Sequence, residues 1–108
     1  MTDDQSIDIP PSFLALYIEP GRVKPTATRA VIGARYELCE DLATLLVDHA
    51  RNTLFDLGIT EDDVLVRCHR GLLVDASVVE PKEAQWVVCR LAELLGWDAP
   101  DFPSADAA

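Results

Sequence analysis

The chain has 108 residues, 49% of them apolar, and a formal net charge of −10. This length favours one domain with a modest core, and the negative charge argues against a nucleic-acid binder that neutralises phosphates. The acidic N-terminal residues differ from the basic start of a secretion signal, and no segment approaches about 18 uncharged apolar residues. We therefore expect a cytoplasmic protein without a membrane-spanning segment.

The first structured element is predicted within IPPSFLALYIEPG, as either a short helix or an extended segment. Its two prolines set an entry, and Pro20 with Gly21 ends it. The polar, acidic residues before it predict a disordered N-terminus over residues 1–8. We expect a single helical domain over residues 9–97 and a disordered acidic tail over residues 98–108.

A basic linker, GRVKPTAT, leads into the longest helix. Basic side chains and hydroxyls at a helix N-terminus are able to bind an anion through free backbone N–H groups, and the group here is Arg22, Lys24, Thr26, Thr28 and Arg29. This predicts a possible anion or nucleotide site. The alternative is that these bases only offset the acidic remainder of the chain.

The longest periodic segment runs from Thr28 to Gly58 and predicts an amphipathic helix with Thr26 or Thr28 as its N-cap and Gly58 as a left-handed glycine after its last turn. Its apolar arc covers about 200°, so at least two neighbours should flank it. The arc includes Val31, Leu38, Cys39, Leu42, Ala43, Leu45, Leu46, Val47, His49, Ala50, Leu54 and Leu57.

Two features of this helix, the position of His49 and the length of the helix, lead to predictions that the structure can test. His49 lies within the apolar arc and is interpreted as a hydrogen-bonded core histidine rather than a ligand or a base. The helix should be about 45 Å long, whereas a compact domain of this size is about 34 Å across. Either the helix breaks near Gly33 or one end projects and is covered by another chain.

Two further helices follow. Thr60 is a predicted N-cap, and the basic residues before Gly71 suit the C-terminal end of that helix. The segment LLVDASVV is then a loop or a minimal hairpin. Pro81 begins the last helix and Gly96 closes it, with a predicted core face of Ala84, Val87, Val88, Leu91, Leu94 and Leu95.

The opposite side of the last helix carries Trp86, Cys89 and Glu93, together with Lys82. A tryptophan in this position is unusual for a simple amphipathic helix, and tryptophan is enriched at interfaces. One interpretation is that the segment Phe13 to Ile18 folds across it. The other is that Trp86, Cys89 and Glu93 form a partner-binding or self-association surface.

Four segments, IPPSFLALYIEPGR, ARYELCEDLA, LFDLGITEDDVL and WVVCRLAELLGW, carry a resemblance to a group of short bacterial all-helical proteins. The resemblance covers Ile9 to Trp97, and some members of the group are described as ATPases with chaperone activity. It implies an all-helical fold and a role beside chaperones. The chain has no GxxxxGK[ST] loop, and no catalytic residue is assigned from the resemblance.

No pattern of catalytic residues stands out, and Cys39, Cys68 and Cys89 lack the paired spacing of a zinc module or a disulfide framework. We therefore expect no metal and no cofactor. The predicted fold is an all-α bundle of three main helices with a short N-terminal segment. The predicted function is a non-enzymatic interaction or adaptor protein that binds a protein partner or a second copy of itself, and the alternative is a small anion- or nucleotide-binding protein.

Overall fold

The computed structural model describes residues 8–100 and 102, which form helices joined by short loops and contain no β-strand. Helix α1 spans Pro11–Leu14 and continues into a 3-10 helix over Ala15–Tyr17, so the N-terminal segment is helical rather than extended. The three main helices are α2 over Arg29–Leu57, α3 over Glu61–Leu73 and α4 over Pro81–Leu95. The all-α bundle that the sequence predicts is confirmed. The predictions of disorder for residues 1–7, 101 and 103–108 lie outside the described residues.

Helix α2 begins and ends where its capping residues predict. The Thr28 hydroxyl accepts a hydrogen bond from the Val31 N–H at 3.2 Å, and Gly58 adopts φ 62°, the left-handed conformation that glycine reaches without strain. The helix runs unbroken through Gly33, which is buried. Its 29 residues correspond to about 43 Å, close to the longest molecular dimension of 46 Å.

Helices α3 and α4 pack against α2 and against each other. Small residues on α2, namely Cys39, Ala43 and Ala50, are completely buried and let the neighbouring helices approach closely. The core is completed by Ile32, also on α2, and by apolar side chains from the rest of the chain: Phe13, Tyr17, Val64, Leu65, Cys68, Val79, Ala84, Val87, Val88, Leu91 and Ala92. Phe102, beyond the predicted domain end at residue 97, also packs against this core.

The apolar arc predicted for α2 is too wide. Val31, Leu45 and Leu57 are exposed, and so is His49, which is therefore not a core histidine. The reason is geometric: two neighbouring helices and the N-terminal segment cover only the face centred on Ala43 and Ala50. The edges of the predicted arc remain outside that contact.

The end of α3 also differs from the prediction. The helix continues through Gly71 to Leu73, because a glycine weakens a helix interior but does not end it. The loop that follows contains a turn in which the backbone N–H of Ser77 donates to Asp75 at 3.0 Å. Helix α4 then begins with a capping box formed by Glu80 and Glu83 and ends at Gly96.

Candidate functional site

A cavity of about 280 Å³ lies on the side of α4 that faces away from the core. Its walls come from three parts of the chain: α1 with the 3-10 helix, α4, and the segment that follows α4. The predicted partner-binding residues Trp86, Cys89 and Glu93 all contribute to it. The complete lining is Ser12, Leu16, Lys82, Gln85, Trp86, Cys89, Arg90, Glu93 and Phe102.

Trp86 lines this cavity and is held by aromatic contacts. Its ring meets Phe13 edge to face, with ring centroids 5.0 Å apart, and contacts Tyr36 at 5.8 Å. Its indole N–H donates to the Ser12 hydroxyl at 3.0 Å. The N-terminal segment therefore packs against the tryptophan within the chain, while the ring remains half-buried and borders the cavity.

Arg90 forms a second wall through ion pairs. Its guanidinium binds both carboxylate oxygens of Glu40 on α2, at 2.9 to 3.2 Å, and also donates to Glu93 at 3.0 Å. This two-point contact fixes the plane of the guanidinium. Glu93 remains largely exposed, with 68% of its side chain accessible, so one carboxylate edge of the cavity faces solvent.

Cys89 lies between Trp86 and Glu93 on the cavity wall and is half-buried. Burial raises the pKa of its thiol, and the nearby negative charge of Glu93 raises it further. A thiol with a raised pKa is a poor nucleophile at neutral pH. The cysteine therefore contributes a small, polarisable apolar surface to the cavity.

The remaining polar groups at the rim differ in how they are bonded. The Lys82 ammonium donates to the Leu16 carbonyl at 2.8 Å and lies over the Tyr17 ring, 4.8 Å from its centroid. Gln85 makes no hydrogen bond with its side chain within the described residues. The lysine is thus already engaged, whereas the glutamine amide is free to donate to and accept from a ligand.

A buried polar cluster around Glu83 was not predicted from the sequence. Glu83, on α4, is completely buried. Arg35 donates to its two carboxylate oxygens at 2.9 and 2.6 Å, and the Tyr17 hydroxyl donates at 2.5 Å. The Glu80 backbone N–H adds a fourth bond at 2.9 Å. The sequence signal was the glutamate at the third position after Glu80, the N3 position of a capping box, which places its carboxylate near the helix start.

The electrostatics of this cluster indicate a structural role. Burial raises the pKa of Glu83, but the hydrogen bonds from Arg35, Tyr17 and the Glu80 backbone outweigh it and hold that pKa below its usual value. Burial and the glutamate charge raise the pKa of Tyr17. The carboxylate is therefore ionised and fully bonded, and it links the 3-10 helix, α2 and α4 rather than offering a free acid or base.

The basic linker is exposed, and several of its groups already have partners. Arg22 lies 3.8 Å from Glu19, the Thr26 backbone N–H donates to the Tyr17 carbonyl at 2.6 Å, and Thr28 caps α2. The side chains of Lys24 and Arg29 are exposed to solvent.

The histidines do not assemble a metal site. His49 is exposed, and His69 on α3 packs its ring against Phe102 with centroids 4.6 Å apart. Burial lowers the pKa of His69. Among residues 8–100 and 102, no group of three or more histidine, cysteine, aspartate or glutamate side chains is arranged to hold a metal ion.

No helix in this part of the chain has both the length and the apolar character needed to cross a bilayer.

Comparisons with protein-family models, with curated proteins and with solved structures gave no significant match.

Proposed function

We propose that this protein is a non-enzymatic interaction module whose α4 cavity accepts an apolar side chain from a peptide segment of a partner protein. The observation that carries the proposal is that one cavity joins Trp86, Cys89 and Glu93. Aromatic residues that become fully desolvated in well-packed pockets on binding are prominent among the residues that dominate the energy of protein interfaces. A bound segment would place its apolar side chain over the tryptophan and pair its backbone with the free amide of Gln85.

The size and charge of the cavity favour a peptide over a nucleotide. Its volume of about 280 Å³ is just below the range of about 300 to 1,000 Å³ that is typical of small-molecule sites. Its two cations, Lys82 and Arg90, already bond to a carbonyl and to carboxylates. A phosphate would have to displace these contacts, whereas an apolar side chain would not.

The proposed function takes place in the cytoplasm. All three cysteines are free thiols, as expected in a reducing compartment. The resemblance to bacterial proteins described as ATPases with chaperone activity supports a role in which the protein works beside another protein.

The proposal is tested by filling the cavity. Cys89→Phe adds an aromatic ring to the cavity wall, and Val23→Phe adds the same ring type at a linker position that is 88% exposed. We expect wild type and Val23→Phe to recover the same proteins from the source cell, as identified by mass spectrometry, and Cys89→Phe to lose them while keeping its helicity. Recovery of the same proteins by Cys89→Phe would show that the cavity is not the docking site.

Calorimetry separates this proposal from the nucleotide alternative. We expect no saturable heat when ATP is titrated into the protein. Saturable binding that disappears in the double variant Lys24→Ala, Arg29→Ala would instead support a nucleotide site at the basic linker.

A further inference from the structure

The outer face of α2 carries two large apolar side chains between acidic residues. Residues 41, 45, 48, 52 and 55 are spaced alternately by four and three positions, so they share one face of the helix. This face lies opposite the buried Ala43 and Ala50. We call it the α2 stripe, and it consists of Asp41, Leu45, Asp48, Asn52 and Phe55.

The apolar residues of the α2 stripe are largely exposed. Leu45 is 74% exposed and Phe55 is 87% exposed. Single exposed apolar residues are common on protein surfaces, but here two of them lie on the same helix face, about 15 Å apart along the axis. A single partner helix packed along α2 would therefore contact both residues, one near each of its ends.

The acidic residues of the α2 stripe are available for pairing. Asp41 and Asp48 are exposed, and neither forms an ion pair or a side-chain hydrogen bond within residues 8–100 and 102. They flank Leu45 on both sides along the stripe. A ligand that covers the leucine therefore brings its own charges next to two free carboxylates.

The negative charges of Asp41 and Asp48 determine which kind of ligand the α2 stripe can bind. A second copy of this chain carries the same net charge of −10 and brings its own carboxylates to the contact, so like-charge repulsion disfavours self-association through the α2 stripe. An anionic membrane surface would be repelled for the same reason. A basic amphipathic helix complements both the apolar and the acidic positions.

We propose that the α2 stripe docks an amphipathic helix from another protein, with apolar side chains that pack on Leu45 and Phe55 and lysine or arginine side chains that pair with Asp41 and Asp48. This surface is separate from the α4 cavity, and the inference does not depend on the function proposed for that cavity.

The test uses a labelled synthetic helix of about 18 residues, or five turns, with leucines on one face and lysines beside them. Its binding is followed by fluorescence anisotropy. The control peptide has the same composition in scrambled order, so that it keeps the charge but loses the apolar face. We expect saturable binding of the first peptide only, weakening as the salt concentration rises from about 0.1 M to about 1 M.

Variants then locate the site. We expect the double variant Leu45→Ser, Phe55→Ser to bind at least about tenfold more weakly, as for the loss of interface anchors. Asp41→Asn with Asp48→Asn should weaken binding at low salt and have less effect at high salt. The matched controls are Val23→Ser for an exposed apolar residue, Glu61→Gln with Asp62→Asn for acids elsewhere, and Cys89→Phe for the α4 cavity. All three should bind like wild type.

Several outcomes would overturn the proposal. These are equal binding of the scrambled peptide, no saturable binding of the amphipathic peptide, and unchanged binding by both stripe variants when circular dichroism shows that they are folded. A wild-type dimer that Leu45→Ser, Phe55→Ser converts to a monomer in sedimentation velocity would assign the stripe to a second copy instead. Loss of binding in Cys89→Phe alone would place the peptide in the α4 cavity.

Discussion

Two arginine–glutamate ion pairs join α2 to α4, and the helix that supplies the arginine in one pair supplies the glutamate in the other. In one pair Arg35 on α2 binds Glu83 on α4, and in the other Arg90 on α4 binds Glu40 on α2. Both contacts involve two carboxylate oxygens. The difference is the burial of the carboxylate, because the Glu83 side chain is 0% exposed and the Glu40 side chain is 26% exposed, whereas the two arginines are similarly accessible at 31% and 33%.

This difference should decide how much each pair contributes. Substitution of the buried Glu83 deprives buried donors, including the Tyr17 hydroxyl, of a charged acceptor that water cannot replace, which is strongly destabilising. A partly exposed pair that loses one partner leaves a charge that water is able to solvate. The comparison therefore predicts unequal effects from identical substitutions.

The largest effect is expected for Glu83→Gln. The substitution preserves the shape of the side chain but removes the negative charge that faces Arg35 in the core. We expect it to lower the free energy of unfolding by about 3 to 5 kcal/mol, because the hydrogen bonds from Arg35, the Tyr17 hydroxyl and the Glu80 backbone N–H are weakened or lost together. Urea denaturation followed by circular dichroism measures this. A loss below that expected for Glu40→Gln would contradict the assignment of Glu83 as the stronger contact.

Trp86 lies between the two pairs along α4, one turn after Glu83 and one turn before Arg90. We expect Trp86→Ala to cost about 3 kcal/mol, the lower end of the range for removing a large aromatic side chain, because the ring is half-buried. The loss reflects the contacts with Phe13 and Tyr36. Thermal melting and light scattering test this together: a variant that keeps its stability but loses an oligomeric state would assign the ring to an interface.

The pH dependence of the free energy of unfolding gives a separate test of the contribution of Glu83. Burial raises the pKa of Glu83, and its hydrogen bonds lower it further than burial raises it, so the folded value lies below the usual 4.5. A carboxyl of this kind stabilises the fold above its usual pKa, and that contribution is lost as the pH falls through the lowered folded value. We expect the stability difference between wild type and Glu83→Gln to be constant near neutral pH and to narrow under acidic conditions. A difference that stays constant into the acidic range would identify another titrating group.

The sequence predicted the helices well because their ends are decided locally. Thr28, Thr60, Gly58 and Gly96 each act through neighbours within about one turn, and the structure places each at a helix end. Trp86, Cys89 and Glu93 could be grouped in advance for the same reason, since their spacing puts them on one helix face.

The contacts between distant parts of the chain could not be predicted in this way. Arg35 and Glu83 are 48 positions apart, and helical periodicity does not show which charges meet across a bundle. The cavity needs Ser12 and Phe102 from opposite ends of the chain, and only packing brings them together. The exposure of Leu45 was missed because the width of an apolar arc does not indicate how much of it the neighbours cover.

The smallest effect is expected for Glu40→Gln, the same chemical change as Glu83→Gln made at the exposed pair. Arg90 retains its bond to Glu93 at 3.0 Å, and water is able to replace the lost carboxylate. We expect a cost below about 1 kcal/mol that shrinks as salt is added, because a partly exposed pair is weak and screened. Urea denaturation at low and high salt measures both quantities. A cost equal to that of Glu83→Gln and independent of salt would mean that the Arg90 side of α4 is as dry as the core, and burial would then not explain the difference between the two pairs.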